Sequence, residues 1–126
     1  MSKVSIDLKD TVKFYQTYND VCRCEHCRNY YNKIQITYPK LDVFLKQYGV
    51  DILKPVEVIE YSFDDDFEKR YESFYVICGN LKEENALILD DDLEIKFLDR
   101  NDLFEIFVNE NYFLIQVNGI RLDGGY

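Results

Sequence analysis

Apolar and polar residues alternate at the start of the chain, with Val4, Ile6 and Leu8 separated by polar side chains, and this period of two predicts a short strand. Asp10 stands where it can cap a short helix reaching about Tyr18, with Val12 and Tyr15, or Phe14 and Tyr18, on its inner side. Asn19-Asp20 interrupts that pattern. A helical repeat then returns: Cys27, Tyr30, Tyr31, Ile34 and Tyr38 fall at i, i+3, i+4, i+7 and i+11. The helix that carries them begins at Asp20 or in the cysteine-rich loop after it. Pro39 crowds the residue before it and turns Tyr38 away from helical torsions, so this second helix ends there. The same proline suits the first turn of a third helix, where its missing N–H is not needed. That helix presents Leu41, Phe44, Leu45 and Tyr48 on one face and stops at Gly49.

After Asp51 the pattern changes, and β-branched and aromatic residues dominate. Val56 to Phe63, Tyr71 to Leu81, Ala86 to Leu89, Leu93 to Leu98, Leu103 to Val108 and Tyr112 to Val117 read as strands. Between them stand acidic or turn-forming breaks: Asp64-Asp65-Asp66, Glu83-Glu84-Asn85, Asp90-Asp91-Asp92, Arg100-Asn101-Asp102 and Asn109-Glu110-Asn111. Links this short leave no room for helical crossovers, so consecutive strands are expected to be antiparallel neighbours in a meander. Helices first and strands afterwards is the α+β pattern. About three N-terminal helices should pack on one face of an antiparallel sheet of five or six strands. One domain, residues 1–126, is expected, helical over about 10–49 and sheet over about 55–118, with the tail from Leu122 to Tyr126 frayed.

Composition supports a packed core. A chain of 126 residues can bury one core without staples, and 11 Tyr with 9 Phe argue against disorder. The helical period of the Tyr-rich stretch from Tyr15 to Tyr48 places it in the core rather than on an exposed platform, with hydroxyls reaching the surface. No apolar run approaches the ~18 residues that span a membrane, and Met1 to Asp10 lacks the hydrophobic region of a signal peptide. The expectation is a cytoplasmic protein with reduced thiols and no membrane partner.

Charge sharpens this picture. The formal net charge is −9, but residues 1–50 carry eight Lys/Arg against five Asp/Glu, while residues 51–126 carry seven against nineteen. The second half therefore repels nucleic-acid phosphates and suits a basic protein partner, unless its charge serves solubility alone.

Chemistry is concentrated in Cys22-Arg23-Cys24-Glu25-His26-Cys27, where three of the four cysteines fall within six residues. A structural zinc site takes four Cys or His ligands, with paired ligands two to four residues apart. Cys24 and Cys27 meet that spacing, Cys22 is one residue closer, and the fourth ligand would be His26 or the distant Cys78. Cys78 shares a strand face with Phe74 and Val76, opposite Tyr75 and Ile77, and could reach the cluster if that face meets the helices. Two other readings stand beside zinc. The thiols could simply pack, since free cysteine is among the most buried residue types. Alternatively, Cys24 and Cys27 at a helix start could act as a redox or metal-sensing dithiol, since a helix N-terminus favours thiolate; the thioredoxin arrangement, however, places its dithiol after a strand.

No catalytic residue is assigned. His26 is the only histidine, and neither a Gly-x-Ser-x-Gly turn nor a phosphate-cradling glycine loop accompanies it. Asp64 to Asp66 and Asp90 to Glu94 lack the spacing and glycine of a calcium loop and read as acidic turns.

The segment Cys22-Arg23-Cys24-Glu25-His26-Cys27-Arg28-Asn29-Tyr30, followed by Gly49-Val50-Asp51 and Lys54-Pro55-Val56-Glu57, resembles a group of small bacterial proteins with no assigned activity. Tyr75-Val76-Ile77-Cys78-Gly79 is similar to a further strand of that group. The resemblance covers roughly residues 20–80 and implies that helices and strands belong to one domain. The functional expectation is a non-enzymatic acidic binding module, metal-stabilised through the cysteine cluster, that engages a basic protein.

Overall fold

The computed structural model describes residues 4–61, 67–89, 93–99 and 111–124. Strand β1 (Val4–Ile6) is followed by helices α1 (Leu8–Thr17), α2 (Glu25–Thr37) and α3 (Pro39–Lys46). Strands β2 (Glu57–Glu60), β3 (Glu68–Leu81), β4 (Asn85–Leu89), β5 (Leu93–Leu98) and β6 (Tyr112–Asp123) complete the order. Every strand pairing among the described residues is antiparallel. The α+β architecture with N-terminal helices is therefore as expected from the pattern.

The meander is not. The sheet order is β1-β3-β6-β5-β4, with β2 also paired to β3, so β3 lies beside β6 rather than β4. Burial explains the choice. Ser73 to Cys78 and Tyr112 to Ile115 are buried without alternation, which only strands covered on both faces permit. Two such strands belong together at the sheet centre, and their register runs from Glu68 opposite Asp123 to Cys78 opposite Tyr112. β4 alternates between exposed and half-buried residues and takes the edge. The strand expected over Leu103 to Val108 and the acidic turns Asp64 to Asp66 and Asp90 to Asp92 lie outside the described residues.

Both ends differ from the sequence reading. Leu8 belongs to α1, and the cap is Asp7 rather than Asp10: the Asp7 carboxylate accepts the Asp10 N–H at 3.0 Å. That backbone donor holds the Asp7 carboxyl below its ordinary range. At the other end, β6 continues to Asp123 instead of fraying. Leu122 is buried opposite Lys69, and the Gly124 N–H donates to the Phe67 carbonyl at 2.8 Å.

α2 and α3 cover one sheet face. Cys27, Tyr30 and Ile34 of α2 and Leu41 and Leu45 of α3 pack in one cluster with Tyr71, Tyr75 and Ile77 of β3, Ile95 of β5 and Phe113 and Ile115 of β6. Pro39 occupies the first turn of α3 as expected. Gly49 closes the segment with φ +79°, a torsion that a side chain would strain.

α1 has a different task. One edge of β3 is paired by β2 as far as Phe74, whose carbonyl also accepts the Val56 N–H at 2.8 Å, and β1 resumes pairing at Gly79. In the gap, side chains of α1 replace a strand. The Tyr15 hydroxyl donates to the Val76 carbonyl at 2.7 Å and accepts the Val76 N–H at 2.9 Å. Thr11 Oγ1 accepts the Cys78 N–H at 3.0 Å, while the Cys78 carbonyl accepts the Asp7 N–H at 2.9 Å. At Gly79 the backbones of β1 and β3 come so close that a Cβ would collide with the Ser5 carbonyl.

The hydroxyls of Tyr15, Tyr30 and Tyr75 are thus not at the surface, whereas those of Tyr18 and Tyr31 bond at exposed positions. The Tyr30 and Tyr75 hydroxyls bond to each other at 2.6 Å, Tyr30 also to Ser73 Oγ at 2.9 Å, and Tyr75 donates to the Ile52 carbonyl at 2.7 Å. Burying a phenol forces a partner on its hydroxyl, and here the sheet and the α3–β2 link supply it. Burial raises the hydroxyl pKa of Tyr15 and Tyr75 well above 10.0 and pushes that of Tyr30 up to about 12. A raised folded pKa contributes stability below the unfolded value that is lost as pH climbs through the folded one. The protein should therefore lose stability from about pH 10 upward, with phenolate absorbance of these tyrosines appearing only on unfolding. Smooth titration of every tyrosine near pH 10 in the folded state would contradict this arrangement.

Candidate metal centre

The chain leaves α1 at Thr17 and reaches Glu25 through a link without regular structure. Two tyrosines hold that link in place. The Tyr31 hydroxyl of α2 donates to the Cys22 carbonyl at 2.8 Å, and the Tyr18 hydroxyl donates to the Asp20 carbonyl at 3.1 Å. Cys24 is the N-cap of α2, and Cys27 lies in its first turn, three residues on and on the same side of the helix. The result is a convergence of sulfurs: the Sγ atoms of Cys22, Cys24 and Cys27 all lie within 4.8 Å of one another. Cys22 Sγ and Cys24 Sγ are 3.1 Å apart. Tetrahedral zinc with bonds of about 2.3 Å places its sulfurs about 3.8 Å apart, so the trio is near the span such an ion requires. Three cysteines placed in this way could hold a metal ion.

Their environments differ. Cys22 and Cys24 are exposed, whereas Cys27 is buried. The Cys24 backbone N–H points at Cys22 Sγ and, with the neighbouring thiols, pulls the Cys22 thiol below its ordinary value. Burial pushes the Cys27 thiol up, and the two adjacent sulfurs add to the effect. A cation brought to this point would supply the charge that the buried Cys27 thiolate lacks, at the cost of displacing its proton.

Of the other two candidate ligands, His26 lies against the trio and Cys78 stands apart from it. The His26 ring touches Cys24, with Sγ 3.5 Å from Nδ1 and 3.4 Å from Nε2. Near-equal distances put the sulfur off the line of either lone pair, so this is a contact rather than a directed bond. His26 Nδ1 is 3.9 Å from Glu60 Oε2 of β2, beyond hydrogen-bond reach. Cys78 is on the wrong side of β3. The face that meets α2 and α3 carries Tyr71, Tyr75 and Ile77, while Val76 packs with Tyr112 and Leu114 in a separate cluster. Since side chains alternate along a strand, Cys78 shares that second face, and it is not among the converging sulfurs.

Sequence reasoning missed several participants. Asn29 of α2 is buried and donates through Nδ2 to the Tyr71 hydroxyl at 3.0 Å and the Asp123 carbonyl at 3.1 Å, tying the helix above the cluster to β3 and β6. Glu60 and Glu57 approach from β2, more than thirty positions away in the chain, and no local pattern announces them. A cleft of ≈ 290 Å³ beside the cluster is lined by Cys22, Asp20, Tyr31 and Glu57 among others. The thioredoxin comparison holds only at the helix start: α1, not a strand, precedes the cysteines, and the sheet is antiparallel. Among the described residues no helix is long and apolar enough to cross a membrane. No protein-family model matches this chain, and neither a curated protein nor a solved structure shows significant similarity to it.

Proposed function

We propose that this protein is a non-enzymatic binding module in which Cys22, Cys24 and Cys27 supply three ligands of a zinc ion, with the adjoining His26 the candidate for the fourth, and the acidic half engages a basic protein. The convergence of the three sulfurs within 4.8 Å carries the metal half of this reading. Soft thiolate donors favour zinc over the hard cations that carboxylate and carbonyl sites select. The role of such an ion would be structural. It would tie the irregular link after α1 to the first turn of α2, adding to the tyrosine hydroxyls that hold it. The partner half is supported by the net charge of −9 and its concentration after residue 50. Glu57, Glu68, Glu83, Glu84, Asp99 and Asp123 of that half are exposed, so their field reaches a partner in solution.

Elemental analysis of protein purified under reducing conditions without chelator tests the first half. One zinc per chain is the expected result; protein that carries no metal and takes up none on titration would leave the thiols with a packing role. For the second half, partners captured on the immobilised protein should be basic and should associate more slowly as salt rises, because exposed charges are screened over about 8 Å at physiological ionic strength. Glu83→Lys with Glu84→Lys should slow that association further while leaving the fold intact, since exposed charges contribute little to stability. A partner whose on-rate ignores both changes would assign the acidic surface to solubility.

A further inference from the structure

Two of the three clustered thiols differ from the third in a way that metal binding does not need. Cys22 and Cys24 are both exposed, and their sulfurs are 3.1 Å apart, inside van der Waals contact. A disulfide bond is about 2.05 Å long, so roughly 1 Å of movement separates the thiols from bonding. Cys22 belongs to the irregular link between α1 and α2, which can supply that movement without disturbing a hydrogen-bonded element. Cys27 is buried on the helix, and Cys78 is buried on the far face of β3. We infer that Cys22 and Cys24 are a reversible oxidation site, closing to a disulfide with a peroxide-class oxidant, and that closure removes two of the three cysteine ligands of the metal site.

The chemistry balances in two steps. One thiolate sulfur attacks a peroxide oxygen; an S–O bond forms, the O–O bond breaks, and the leaving hydroxide takes up a proton as water. The second sulfur then attacks the sulfenic sulfur; the S–S bond forms, the S–O bond breaks, and a second water leaves. The two thiols give up two electrons and two protons, and hydrogen peroxide is reduced to two waters. A bridge across a single intervening residue, Arg23, makes a small exposed ring, the kind that a dithiol reductant reopens readily. The release of metal rests on the zinc reading above, whereas the disulfide does not.

Arg23 makes the test direct. Reduced, metal-free protein is treated with hydrogen peroxide, alkylated and cut with trypsin, which cleaves after Arg23 and Arg28. A Cys22–Cys24 bond joins the segments 14–23 and 24–28, whereas a Cys24–Cys27 bond stays inside 24–28. The expected result is loss of two of the four thiols, joined segments, and the alkyl group on Cys27, all reversed by dithiothreitol. Cys27→Ser should give the same joined segments and Cys24→Ser none. A bond inside 24–28, an alkyl group on Cys24 in joined segments, or retention of all four thiols would overturn the inference in the wild-type protein itself, whatever the variants do. Zinc-loaded protein should release its ion in step with the disulfide. A disulfide formed in protein that never binds zinc would uphold this inference and end the zinc reading; bound zinc with no disulfide in the metal-free form would do the reverse.

Discussion

Tyr15→Phe should destabilise the fold by about 2–4 kcal/mol although it removes a single oxygen and opens no cavity for a side chain. The Tyr15 hydroxyl serves both polar groups of Val76, at 2.7 Å and 2.9 Å, in a stretch of β3 that no strand among the described residues covers on that edge. Val76 is fully buried, so water does not replace what is lost. Leaving a buried donor or acceptor unpaired costs about 1–3 kcal/mol each, more than the net worth of the bond itself. Urea denaturation of wild type and variant, compared at equal m-value, measures the difference. Tyr61→Phe is the control: Tyr61 is 52% exposed, and its loss should fall within about 0.5 kcal/mol. Equal, small effects at both positions would mean that Val76 finds other partners and that α1 does not complete the edge of β3.

Cys27→Ser should weaken zinc binding by more than about 100-fold, the scale set by the 10–100-fold losses seen when only the residues behind the ligands are changed. Cys78→Ala, on the opposite face of β3, should leave the zinc stoichiometry as it was. In wild type, zinc at 100 times its dissociation constant should add about 2.7 kcal/mol to stability, and the serine variant should lose that increment. The pH dependence has a definite sign. Because burial raises the Cys27 thiol, binding must displace a proton there, so affinity falls on acidification and zinc uptake releases protons. Competition titrations at two pH values measure both effects. Unchanged affinity in Cys27→Ser would exclude this residue as a ligand, and a loss of zinc in Cys78→Ala would show that the far face of β3 reaches the site after all.

Much of this architecture was legible in local pattern. Cys27, Tyr30 and Ile34 recur at the helical period, and Pro39 and Gly49 bound α3 because each acts through its own backbone torsions. The change at Asp51 from helical to strand pattern marked the α+β division for the same reason: periodicity is imposed locally by which face is buried. The cysteine trio was also legible, since residues 22, 24 and 27 are brought together by one loop and one helical turn.

What the linear pattern did not decide were the matters settled by long-range competition. Short links suggested that β3 and β4 would pair, yet β3 needs a long neighbour that is apolar on both faces, and among the described strands β6 meets that need. The face of β3 that meets the helices could not be chosen from alternation alone, because residues 73–78 are buried on both sides; that choice excluded Cys78 from the cluster. The role of Tyr15 as a substitute strand depends on a gap between β2 and β1 that exists only once both have docked. Periodicity states which residues leave water, but a sheet's pairing and the side of the core that each residue joins are fixed by the sum of contacts over the whole chain.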